Sequence, residues 1–139
     1  SPVRESGAWR IEVAPSRPAL EDQFLHALEM RDGPRAKPTE TRLISAERVT
    51  GAHWQAPSEN QVVLFSAGLP VTYEVAATVP ARHFLAGLPP GERVIVEVNG
   101  RRLRPQRASP QGVLAFSDRG TGPRRIAVRP GGVSSPPAR

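Results

Sequence analysis

Short runs of strand-type residues, each cut off within a few positions by proline or glycine, push this chain towards an all-β fold. The 139 residues carry 16 Pro and 12 Gly without any repeat. Proline removes a backbone donor and clashes in a helix interior, and glycine is costly inside either regular element. Breakers this frequent leave room for short strands but for almost no helix.

The alternation within the runs supports the same reading. Ala8–Val13 places Trp9, Ile11 and Val13 on one face and Arg10 and Glu12 on the other, and Pro15 and Pro18 end it. Asp22–Met30 alternates with apolar groups on both faces, as a central strand does. Leu20, Phe24 and Leu28 also fit a short helix over Ala19–Met30, and the β-rich surroundings favour the strand. A breaker-rich loop follows over Arg31–Pro38. Thr41–Val49 and Ala52–Gln55 read as strands interrupted at Gly51, followed by strands over Gln61–Ser66, Val71–Ala76 and His83–Leu88.

The firmest local signal is Glu92–Val98, Asn99-Gly100, Arg101–Arg104. Asn-Gly supplies the two positive φ angles that a type I′ turn needs, so a two-residue hairpin is expected. Pro105 has no donor for a central ladder and belongs at an edge or a strand end. Ser109–Gly112 turns into Val113–Ser117, and Arg124–Val128 is the last strand. The expected architecture is all-β, a two-sheet antiparallel sandwich of about nine or ten short strands. The expected organisation is a linker over residues 1–7, the sandwich over 8–129 and a disordered Pro/Gly/Ser tail over 130–139. The opening residues lack the pattern of a signal peptide, and a start that runs straight into Trp9–Val13 reads as a piece of a larger chain.

Charge is distributed unevenly. The formal net charge is +6, with residues 1–92 contributing −2 and residues 93–139 contributing +8. Lys37 is the only lysine. Two readings stand side by side: solvated strand faces, or a patch for polyanions built from Arg101, Arg102, Arg104 and Arg107 around the hairpin. Nucleic acid is disfavoured as a partner, because the aromatic interleaving and the known motifs are missing.

Catalytic and metal-binding patterns are absent at the level of sequence. Cysteine is absent, which removes disulfides and thiolate chemistry. His26, His53 and His83 are far apart and lack ligand spacing, and His26 reads as a core or sheet-face residue. No G-x-S-x-G is present, Gly120-Thr121-Gly122 and Gly131-Gly132 lack a phosphate-loop Lys, and Glu21/Asp22 would point to opposite faces of a strand. No catalytic, cofactor-binding or metal site is therefore assigned. No apolar run approaches the roughly 20 residues of a membrane span. Among the aromatic residues, Trp9 reads as core, and Trp54, in a looser context, is the candidate for stacking on a sugar ring.

Trp9–Pro15 followed by Pro18 and Asp22–Leu28 resembles a recurring R-I-E-V-x-P, D-x-F-L-H-x-L pattern in C-terminal regions of heparinase II/III-like polysaccharide lyases. His83–Leu88, Pro89-Pro90-Gly91, the Asn99-Gly100 hairpin and Gln111–Phe116 are similar to the end of such sandwich domains. They are also similar to generic fibronectin- or Ig-like modules, although Arg93-Val94 stands where a corner tyrosine would be. The resemblance spans roughly residues 8–128, and no stretch matches a catalytic motif of the family. It implies a non-catalytic accessory sandwich of a secreted or periplasmic carbohydrate-active enzyme. Such a domain would pack on the catalytic domain of a larger parent chain and contact acidic polysaccharide. The alternative is an Ig-like surface or assembly module that binds proteins through its edge strands.

Overall fold

The computed structural model describes residues 37–132, together with 12–18, 20, 24–26, 28–30 and 33. Ten strands follow one another: β1 (Glu40–Ala46), β2 (Val49–Gln55), β3 (Asn60–Ser66), β4 (Val71–Ala77), β5 (Ala81–Ala86), β6 (Arg93–Val98), β7 (Arg101–Arg102), β8 (Gln106–Arg107), β9 (Leu114–Asp118) and β10 (Gly122–Pro130). The described residues contain no helix, and none is long and apolar enough to cross a membrane.

The strands form two sheets. The first has the order β1-β2-β3-β5-β9; in the second, β4-β10-β6-β7, strand β8 pairs with β6 as well. All pairs are antiparallel except β3 with β5. That exception follows from the path of the chain: β4 lies in the second sheet, so the chain crosses over and back before β5 joins β3. The expected sandwich is therefore present, with one parallel pair inside an otherwise antiparallel design.

Alternation decides what is inside. Val62 and Leu64 of β3, Leu85 of β5 and Leu114 and Phe116 of β9 point inward from the first sheet. Val71, Tyr73 and Val75 of β4, Val94 and Val96 of β6 and Ile126 and Val128 of β10 meet them from the second. Their neighbours in sequence are exposed or half-buried, which is the period-two signature of strands packed on one face.

Two sequence expectations need correction. The interruption between β1 and β2 falls at Glu47-Arg48, where Arg48 takes a left-handed φ of 64°, and Gly51 sits inside β2. Glycine is there for space. A Cβ at Gly51 would stand 2.0 Å from the Val63 carbonyl oxygen and 2.7 Å from the Leu64 Cα of β3. The second correction concerns the N-terminal runs. Glu12–Val13 and the described parts of Asp22–Met30 form neither strand nor helix, with Val13 52% and Met30 100% exposed. His26 is likewise exposed and stacks on Phe24 at 6.2 Å, so it is not a core histidine. Trp9 and Ile11 lie outside the described residues, as do 133–139 of the expected tail.

Candidate functional site

The arginine-rich hairpin forms one edge of the second sheet. Val98 and Arg101 pair across the Asn99-Gly100 turn, where φ is 49° and 78°, as the type I′ reading requires. Asn99 also fastens the turn to β10. Its Oδ1 accepts from the Arg125 backbone N–H at 2.8 Å, and its own N–H donates to the Arg125 carbonyl at 2.8 Å.

Register then slips by one residue. Glu97 pairs with Arg102, and the Leu103 N–H still donates to the Val96 carbonyl at 2.8 Å. Further along, Val94 pairs with Gln106 and Arg93 with Arg107. Straight counting from the hairpin would match Arg93 with Gln106, so one extra residue is absorbed at Arg104-Pro105. This is a bulge at the one place where a proline removes a ladder donor. The slip decides the chemistry, because it turns Arg107 to the same outer face as Arg93 and Arg102.

The expected cluster therefore divides over two sides of one edge. Arg102 and Arg107 join Arg93 in the lining of a hollow of about 570 Å³ on the outer face, together with Ile95, Pro105 and Gly131. Arg101, opposite Val98, turns the other way and lines a second hollow of about 620 Å³ with Arg104, Arg119 and Arg102, which borders both. All the arginines predicted from sequence are exposed, and two more, Arg93 and Arg119, belong with them. Arg93 could be read from its place on the outward face of β6 with Ile95 and Glu97. Arg119 reaches the edge only through the packing of one sheet on the other.

The nearby acids are mostly engaged elsewhere. Glu97 holds Arg129 at 2.5 Å, and Asp118 is paired with Arg124. Glu92 lines the adjoining hollow with Arg93 and Arg107. Among the described residues none of Arg93, Arg101, Arg102, Arg104, Arg107 or Arg119 forms an ion pair; Arg107 donates to the Gly91 carbonyl at 3.1 Å. Unpaired guanidinium groups bind carboxylate, sulfate or phosphate oxygens through two parallel N–H donors.

The outer face of the first sheet has the opposite character. Leu43, Ala52, Val63, Phe84 and Ala115 follow one another in register across all five strands. Phe65, 41% exposed, and half-buried Trp54 flank that row, and Arg82, over the Phe84 ring at 5.2 Å, is the charged group beside it. Trp54, the expected sugar-stacking residue, thus sits beside that apolar row, between Thr41 and Gln61.

A third cluster lies between the sheets. His53, Val62, His83 and Phe116 form one inward-facing row through β2, β3, β5 and β9. Distance in sequence hid this row, because it depends on the parallel β3–β5 pair. His53 Nε2 donates to Asn60 Oδ1 at 2.5 Å, and Asn60 Nδ2 donates to the Ala56 carbonyl at 3.3 Å. The Tyr73 hydroxyl, from the opposite sheet, is hydrogen-bonded to His83 Nδ1 at 2.9 Å, while Phe116 stacks on the His83 ring at 4.6 Å. Arg124 of β10 meets Asp118 of β9 with Nε 2.7 Å from Oδ2, both residues being buried, and donates through Nη1 to the Gly120 carbonyl. His53 and Arg124 also line a hollow of about 400 Å³ between the edges of β1 and β4.

This cluster ties the two sheets together at one end of the sandwich. His83 is fully buried, so it cannot touch a substrate, and its Nε2 meets no partner. Burial pushes its pKa down to about 4, against an opposing pull from Asp118 and with smaller help from Arg124 and His53. Burial, and then Asp118, push the Tyr73 hydroxyl upward, so both groups are neutral at pH 7. No group of three or more potential metal-ligating side chains gathers among the described residues.

A pH dependence follows. Unfolded histidine takes up its proton near pH 6.5 and folded His83 only near 4, so between these values the unfolded state binds more protons. Stability from this group is complete above pH 6.5 and falls as pH drops towards 4, by about 3 kcal/mol in total. Urea midpoints at pH 7, 5 and 4 are expected to show this slope in the native chain. In a Tyr73→Phe/His83→Leu variant, which removes the titrating group together with its partner, the slope should be smaller; an unchanged slope would assign it elsewhere.

No protein-family model matches the chain, and no curated protein matches it.

Proposed function

We propose that this chain is a non-catalytic accessory β-sandwich of a secreted carbohydrate-active enzyme, resembling the C-terminal sandwich of polysaccharide lyases. It packs on a catalytic part through the apolar outer face of the first sheet, and it contacts acidic polysaccharide through the arginine edge of the second. The observation that carries this reading is the division of surface character. One outer face carries an apolar row across five strands, while the opposite edge gathers exposed guanidinium groups without ion pairs. An apolar face of that kind marks a contact surface, and arginines around shallow hollows suit a chain of carboxylate or sulfate groups.

The reading is tested by affinity electrophoresis in gels containing alginate, heparin or neutral dextran. The native chain is expected to be retarded by the acidic polymers at low salt and released as salt rises, with no retardation by dextran. Arg102→Gln/Arg107→Gln is expected to lose most of the retardation at unchanged melting temperature, since both side chains are exposed. Equal retardation by dextran, or none by any acidic polymer, would remove the binding role.

A further inference from the structure

The edges of the two sheets are not equally protected. The β7–β8 edge is broken by a bulge and Pro105 and carries unpaired arginines, which repel a second copy of themselves. The β9 edge is only five residues long. The β4 edge already has Val71, Tyr73, Val75 and Ala77 buried, so an added strand would bury little there. β1 matches β4 in length, in lacking proline and glycine and in pairing, among the described residues, on one side only, with β2. It differs from β4 in that six of its seven residues are exposed. Leu43 at its centre is 76% exposed. No other strand among the described residues pairs with its free side. Natural sheets rarely leave such an edge uncovered, because its free N–H and C=O groups are a template for another strand.

The sequence of β1 fits its own copy. In an antiparallel arrangement about a two-fold axis through Leu43, all seven residues are matched: Leu43 with Leu43, Arg42 with Ile44, Thr41 with Ser45 and Glu40 with Ala46. Hydroxyl pairs such as Thr with Ser and apolar pairs such as Leu with Leu are favourable directly across strands. Charge does not oppose the match, since Arg42 Nη2 lies 2.7 Å from Glu40 Oε1 within each strand and the edge is neutral. The pairing is isologous and closes at two copies. We propose that the chain forms a two-fold dimer through β1, joining the two first sheets into one continuous ten-stranded sheet. This goes beyond the proposed function: none of the edge arginines takes part, and although Leu43 also belongs to the apolar outer face, the disulfide at position 43 reports the edge pairing itself.

Analytical ultracentrifugation of the full chain tests the association, and a cysteine placed on the axis tests the register. Because the sequence has no cysteine, Leu43→Cys can form only an intermolecular disulfide. Residues directly opposite in an antiparallel pair lie within the Cα separation that a disulfide spans. The native chain is expected to sediment as a concentration-dependent dimer of 15.0 kDa subunits. Oxidised Leu43→Cys should be a covalent dimer, while Glu47→Cys in the β1–β2 turn should stay largely uncrosslinked. Leu43→Lys, an exposed change that leaves the core alone, should weaken association at least about tenfold, as replacing a central contact does. A chain that stays monomeric up to its solubility limit overturns the proposal. So does a dimer indifferent to Leu43→Lys, or equal crosslinking at positions 43 and 47.

Discussion

Asp118→Ala is expected to be the most damaging single substitution in the buried polar cluster, lowering unfolding stability by about 3–5 kcal/mol. The carboxylate lies 2.7 Å from Arg124 Nε, and both side chains are almost fully removed from water. Removing it leaves a guanidinium, always charged, without its counter-ion in a low-dielectric interior. Arg124 Nη2 is already without a hydrogen-bond partner, so the remaining contacts cannot compensate. The converse change is milder. Asp118→Leu/Arg124→Met replaces both charges with apolar volume and is expected to recover stability to within about 1–2 kcal/mol of the native chain, because a buried ion pair is close to neutral overall. Chemical denaturation of the single and double variants measures the coupling. Additive losses would show that the two residues are not acting as a pair.

Gly51→Ala is the second large effect, and it is purely steric. A methyl group there would meet a backbone oxygen and an α-carbon of β3, neither of which can rotate away as a side chain can. β2 and β3 would have to separate in the middle of the first sheet, at an expected cost of about 3 kcal/mol or more. Ala52→Gly, the adjacent position on the outer face, should cost only about 1 kcal/mol. Thermal melts of the two variants give the comparison. Similar melting temperatures would mean that the β2–β3 spacing does not depend on the glycine.

The strands that the sequence showed clearly are those whose signals are local. Asn99-Gly100 marks a turn on its own, and the alternation of Val71–Ala76 and Val113–Ser117 is enough to place β4 and β9. Where the reasons were long-range, local reading failed. Gly51 looks like a break, yet it answers to the backbone of β3; the true turn contains Arg48, whose side chain gives no hint of a left-handed φ. Phe24–Met30 carries the alternation of a strand, but alternation alone does not supply a neighbour to pair with. The row of His53 and His83 depends on β3 and β5 running side by side and parallel, which no periodicity reveals.

The arginine edge lies between these cases. Arg101, Arg102, Arg104 and Arg107 were visible as a run, and the hairpin placed them at one edge. Their partition between two hollows was not visible, because it rests on the one-residue slip at Arg104-Pro105. That slip sends Arg107 to join Arg93, while Arg104 lines the other hollow with Arg119.

The most direct test of the proposed polysaccharide contact at the arginine edge is an NMR titration of the isotope-labelled chain with an oligouronate, read at the arginine Nε–H signals and the backbone amides. The Nε–H signals of Arg93, Arg102 and Arg107 and the amides of β6 to β8 are predicted to shift together and to lose the shift as salt is raised. Changes confined to Trp54, Phe65 and Phe84 on the opposite sheet, or no change anywhere, would contradict the account.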